Sequence, residues 1–111
     1  MTKVNEMART LSRMIPLGTI APSFDLPDTV SGRRVTTEAF STRGTVVMFI
    51  CNHCPFVKHV RAQIAALAHE YQQRDIAFIA ISSNDVAAYP ADGPELMKKE
   101  AADAGYTFPY L

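Results

Sequence analysis

Cys51 and Cys54 are the only cysteines in this chain of 111 residues, and Asn52 and His53 separate them. Two thiols at that spacing can close a disulfide, exchange it with another protein or hold a soft metal ion. Their place on the backbone helps to choose between these. Val46, Val47, Met48, Phe49 and Ile50 precede Cys51, an apolar run that reads as a strand buried on both faces. After Cys54, apolar residues recur at Val57, Val60, Ile64, Leu67 and Tyr71. Those steps of three and four mark one face of a helix ending near Tyr71. The thiols therefore fall where a strand ends and a helix begins.

The first N–H groups of a helix are unpaired, and with the macrodipole they favour negative charge. A thiolate is such a charge, so a cysteine there should ionise below its free value of about 8.5. The thiolate is the species that attacks a disulfide. Cys51, at the strand end, is expected to be the exposed nucleophile, with Cys54 as the resolving thiol. Pro55 cannot donate a hydrogen bond, which suits the first helical turn and makes Asn52 the expected N-cap. An imidazolium at His53 would stabilise a neighbouring thiolate and make the couple more oxidising. Asn52 and His53 are thus the expected tuning residues, and Pro55 a structural one. Of the others, Lys58 and His69 read as solvated, Phe56 as core, Tyr89 as loop packing, and Asn84 and Asp85 as turn formers.

At 111 residues one domain is the ceiling. Eleven acids balance eleven bases, so nothing points to nucleic acid or an anionic membrane. The strongest apolar run, 45–51, is far short of a membrane span, and residues 1–14 lack the apolar core of a signal peptide. Two close cysteines in such a chain suit redox or metal chemistry in the cytoplasm rather than a structural disulfide.

In chain order, residues 1–15 form an N-terminal extension, either a short helix or disordered. Residues 16–28 are loop-rich, with Pro16, Gly18, Pro22 and Pro27. Ser31-Gly32 suggests a small hairpin between Thr29-Val30 and Arg34-Val35. Thr37 would cap a short turn through Phe40. Residues 76–81 read as a second buried strand. Pro94 opens a further helix, Gly105 stops it, and Leu96, Met97, Ala101 and Ala104 supply its apolar side. Residues 106–111 look like the approach to another strand. Strand, helix, strand, helix and strand start make a βαβ pattern, hence an α/β fold with a parallel sheet. Ligands of such sheets collect at the carboxyl ends of the strands, where Cys51 and Asn84-Asp85 fall.

Cys51-Asn52-His53-Cys54-Pro55 after a buried strand resembles the thioredoxin-like superfamily. Ala21-Pro22-Ser23-Phe24-Asp25-Leu26-Pro27-Asp28 is similar to the entry of its redoxin branch, which includes the alkyl hydroperoxide reductase and thiol-specific antioxidant proteins. Ser83-Asn84-Asp85 and Phe108-Pro109-Tyr110-Leu111 also resemble that branch. The resemblance covers residues 16–111, and it implies a βαβ core with an N-terminal hairpin. Such domains continue with an antiparallel hairpin, a last helix and a cis-proline facing the cysteines. None of these has a place here, so 16–111 is expected to be a partial domain. Its 46–50 edge would then be open to homodimerisation.

The resemblance implies a thiol–disulfide oxidoreductase acting through Cys51 and Cys54. Its partners would be protein dithiols or disulfides and an upstream thiol reductant, with no cofactor. Two departures matter. The acid that thioredoxin buries in the strand before its first cysteine is missing between Thr45 and Ile50, so proton handling must differ. The Thr or Ser that peroxiredoxins carry three residues before their reactive cysteine is Met48 here, which counts against a peroxidase. Two alternatives stay open: a peroxiredoxin-like peroxidase, and a metal-binding module in which His53 and His59 join the thiols, although His59 should point away down the helix.

Overall fold

A computed structural model describes residues 13–111. Of the expected N-terminal extension, residues 1–12 lie outside the described residues.

Two short strands, β1 (Asp25–Pro27) and β2 (Arg34–Thr36), pair antiparallel with Leu26 opposite Val35. The hairpin is present, but its first arm is Asp25–Pro27, and Thr29-Val30 lies in the turn. Asp28 is the reason. Its carboxylate accepts from the Val30 and Ser31 N–H groups and from the Ser31 hydroxyl, an alternative to the ladder for this backbone. Thr36, one residue before the expected Thr37, caps the single 3-10 turn Thr37–Ala39 by accepting from the Glu38 N–H.

The main sheet is parallel. β3 (Thr45–Phe49) pairs with β4 (Ala77–Ile81) from Thr45 opposite Ala77 to Phe49 opposite Ile81. The α1 helix (Pro55–Gln72) crosses between them. After β4 come a 3-10 turn, Pro90–Asp92, and the α2 helix (Pro94–Ala104). Gly105, at φ 76°, ends α2 in the left-handed conformation and returns its N–H to the Ala101 carbonyl. The chain then reaches the far side of β4. Tyr110 bridges in parallel to Ala80, the Ala80 N–H donates to Pro109 O at 3.0 Å, and the Leu111 N–H donates to Ala80 O at 2.8 Å.

The core lies between β4 and the helices. Phe78 and Ala80 pack with Ala65 and Ala68 of α1, Met97 and Ala101 of α2, and the rings of Tyr106, Phe108 and Tyr110. The buried seam of α1 thus runs through Ala65 and Ala68, one position from the Leu67–Tyr71 line that spacing suggests. Small alanines let the helix approach the sheet, and Leu67 stays half exposed at the rim. In α2, Leu96 is similarly left outside.

The expected burial of the 46–50 strand on both faces is corrected: Val46 is 40 %, Val47 38 % and Phe49 71 % exposed. α1 packs on β4 and α2, and among the described residues β3 has a hydrogen-bonded strand on one edge alone. Phe56, expected in the core, is 56 % exposed, since the first turn of α1 projects beyond the sheet.

Candidate active site

The Ile50 N–H still donates to Ile81 O at 3.1 Å, so the sheet grips the backbone up to the residue before Cys51. Residues 51–54 then form a tight turn into α1. The helix N-cap is Cys54, in extended conformation at φ −67° and ψ 120°, and its carbonyl accepts from the Lys58 N–H at 3.0 Å. Pro55 is the first helical residue, where a missing N–H costs nothing. Asn52, the expected cap, is used elsewhere.

Both thiols are free and partly buried. The Cys54 backbone N–H and the Asn84 side chain both act on the Cys51 thiol to lower its pKa. A cleft of about 180 Å³ opens on both sulfurs, lined among others by Phe49, Ile50, Val57 and Asn84.

The residue that organises this turn is Asp92, the last of the 3-10 turn after β4. Its side chain is fully buried. Oδ1 accepts from the Asn52 N–H at 2.7 Å and the His53 N–H at 3.3 Å. Oδ2 accepts from Asn84 Nδ2 at 3.0 Å and meets His53 Nδ1 in a short contact. The imidazole also lies flat on Tyr89, with ring centroids 4.4 Å apart and planes 2° from parallel. Asn52 is buried, donating through Nδ2 to Ala91 O at 2.7 Å and accepting from the Tyr110 hydroxyl at 2.8 Å. Burial pushes the Tyr110 hydroxyl far up, so it stays a donor.

Support for the turn extends to the N-terminal hairpin. Asp28 Oδ1 accepts from the Tyr110 N–H at 3.0 Å. Thr29 gives both its N–H and its hydroxyl to Tyr110 O, at 3.0 and 2.7 Å. The hairpin, the 109–111 segment, Asn52 and the cysteine turn are thus linked by buried or half-buried hydrogen bonds.

The electrostatics differ from what the helix terminus alone suggests. Burial pushes the Cys51 thiol up, and the Asp92 carboxylate and the neighbouring Cys54 push it further. The donors from Cys54 and Asn84 oppose this and do not prevail. The expectation of an acidified Cys51 is therefore corrected. Desolvation and a buried negative charge outweigh the helix terminus. For Asp92, burial pushes upward, but hydrogen bonds from Asn84, His53 and the Asn52 N–H hold its carboxyl below the usual range.

The structure brings together Cys51, His53, Cys54 and Asn84 as expected near the carboxyl ends of β3 and β4. Asp85 acts as a turn former, accepting from the Ala87 and Tyr89 N–H groups. Lys58, His59 and His69 are exposed. Asp92 and the stacked Tyr89 were not foreseen. No signal in the sequence pointed to Asp92; the missing acid in β3 implied only that proton handling must differ.

Cys51, His53 and Asp92 place a sulfur, an imidazole nitrogen and a carboxylate oxygen within 4.8 Å of one another. A closed structural zinc site takes four protein ligands. The set of both thiols with His53 and His59 is not assembled, because His59 points to solvent from α1. Both Asp92 oxygens already serve donors of the turn. No helix among the described residues is long and apolar enough to cross a membrane.

Residues 17–111 match the AhpC/TSA family. The crystal structure of an uncharacterised conserved protein from Geobacillus kaustophilus is 50 % identical with a TM-score of 0.85, over 88 % of this chain and 52 % of that one. A hypothetical protein from Sinorhizobium meliloti 1021 is 40 % identical with a TM-score of 0.84, over 89 % of this chain and 54 % of that one. This chain thus spans about half the length of these two structures. A candidate thioredoxin from Neisseria meningitidis has the same fold at 24 % identity, with a TM-score of 0.64 over 82 % of this chain and 56 % of that one. No curated protein matches. The chain has a thioredoxin-like α/β fold and belongs to the AhpC/TSA family.

Proposed function

We propose that this chain is a thiol–disulfide oxidoreductase in which Cys51 attacks and Cys54 resolves. The observation that carries this reading is the pair of free thiols at the head of α1, both lining one cleft, with the Cys54 N–H placed to lower the Cys51 pKa. A donor in that place stabilises the Cys51 thiolate, both as attacker and as leaving group when Cys54 resolves. The Cys51 thiolate attacks one sulfur of a partner's disulfide. That S–S bond breaks, a Cys51–partner disulfide forms, and the other partner sulfur leaves and takes up a proton. Cys54 then loses its proton and attacks the Cys51 sulfur. The partner leaves with two thiols, and the chain holds a Cys51–Cys54 disulfide until an upstream thiol reductant reverses the steps.

The apolar rim of the cleft, with Phe49 largely exposed, suits a protein disulfide better than a peroxide. Met48 in place of a hydroxyl residue also leaves a peroxide without a nearby donor from that position. Reduction of a protein disulfide with a dithiol as recycling reductant tests the reading. Wild-type chain should accelerate the reaction, and Cys51→Ser should not. Equal acceleration by Cys51→Ser would refute it.

A further inference from the structure

Cys51 is poorly prepared to attack as it stands. Only the thiolate attacks a disulfide. A thiol whose pKa is at or above its ordinary value is a few per cent ionised at most near pH 7. Cys51 is pushed above it by burial and by Asp92. Attack is therefore slow unless a base takes the proton as the S–S bond forms.

A base stands beside it. A ring nitrogen of His53, the Cys51 sulfur and an Asp92 oxygen lie within 4.8 Å of one another, a separation short enough for one water to span. His53 Nδ1 is held by the buried Asp92 carboxylate, and its ring is clamped flat against Tyr89. An imidazole oriented by a buried carboxylate is the arrangement that accepts a proton from a nucleophile and is stabilised once charged. The charged and titratable groups facing the ring are Asp92 and Tyr89, from the segment after β4, and Cys51 from its own turn.

We propose that His53, positioned by Asp92, is the proton acceptor that activates Cys51 at the moment of attack. The inference rests on the exchange reading above. In the step, the Cys51 S–H bond breaks and its proton passes to Nε2 of the imidazole, while the Nδ1 proton stays on the hydrogen bond to Asp92. The sulfur's electron pair forms the new bond to the substrate sulfur, and the substrate S–S pair leaves on the other sulfur. The imidazolium, paired with Asp92, then returns the proton to that leaving thiolate. Asp92 thus has two roles. It disfavours a resting thiolate, and it stabilises the cation that appears only during reaction. That keeps the thiol from being consumed between encounters.

The test is the single-turnover rate of the reduced chain with 2-hydroxyethyl disulfide across pH, for wild type, His53→Ala and His53→Gln. Gln keeps a hydrogen bond to Asp92 but cannot carry the proton. Both variants should be roughly ten- to a hundredfold slower near pH 7, since the free thiolate fraction limits what a base can add. The deficit should close near pH 10, where hydroxide makes the thiolate directly. Far-UV circular dichroism of the same samples shows separately that the variants are folded. A deficit equal at every pH would make His53 merely structural, and no deficit near pH 7 would remove it from the step; either overturns the inference while leaving the exchange reading intact. A wild-type chain that exchanges at no pH would overturn both.

Discussion

Cys54→Ser is expected to accumulate mixed disulfides with its partners, and Cys51→Ser to form none. The argument is positional. The Cys54 N–H and the Asn84 side chain both act to stabilise a thiolate at Cys51. Cys54 is the N-cap of α1, and its sulfur follows the bond that Cys51 has made. Without Cys54 the intermediate cannot be resolved from within, so it should persist until an external thiol attacks. The contrast should be close to all-or-none on a non-reducing gel after incubation with a disulfide-containing protein. Trapping through Cys54 alone, with Cys51 replaced, would reverse the assignment.

Asp92→Ala should be the most damaging single change to stability outside the core. It leaves the Asn52 and His53 N–H groups and Asn84 Nδ2 without their acceptor, around a carboxylate that is itself fully buried. An unpaired buried donor costs about 1–3 kcal/mol, and relaxation around the partly exposed His53 limits the sum. A loss of about 3 kcal/mol is expected, which lowers Tm by roughly 10–20 °C in a domain of this size. The pH dependence has a definite sign. The folded carboxyl of Asp92 is held below its unfolded value, so its contribution is present above about pH 4 and is lost as pH falls through the folded value. Urea unfolding of wild type and Asp92→Asn should therefore differ clearly at neutral pH and converge in acid. A gap that stays constant into acid would place the loss in packing rather than in the carboxylate.

Local signals carried much of this architecture. The strand–helix junction at 50–55 is written in consecutive residues, and so are the stop at Gly105 and the proline starts of both helices. What was not legible is non-local. Asp92 reaches Asn52 and His53 across about 40 positions, and nothing near it marks it as different from any acid in a Pro- and Gly-rich turn. The acidity of Cys51 was misjudged for the same reason: the helix terminus can be seen in the sequence, but the buried carboxylate opposing it cannot. Spacing assigned α1 a face through Leu67 and Tyr71. Packing chose Ala65 and Ala68, since closeness to β4 favours small side chains over large ones. Asn52 was read as a helix cap from its type, whereas Tyr110 and Ala91 compete for its side chain from distant positions and win.

The central claim is that Cys51 and Cys54 act as one redox couple. Equilibrating the chain across ratios of reduced to oxidised glutathione, then alkylating free thiols, tests it most directly. The account predicts one two-electron transition in which both cysteines lose their reactivity together, without stable glutathione adducts. Two thiols that remain alkylable at every ratio, or that each take up glutathione independently, would contradict it.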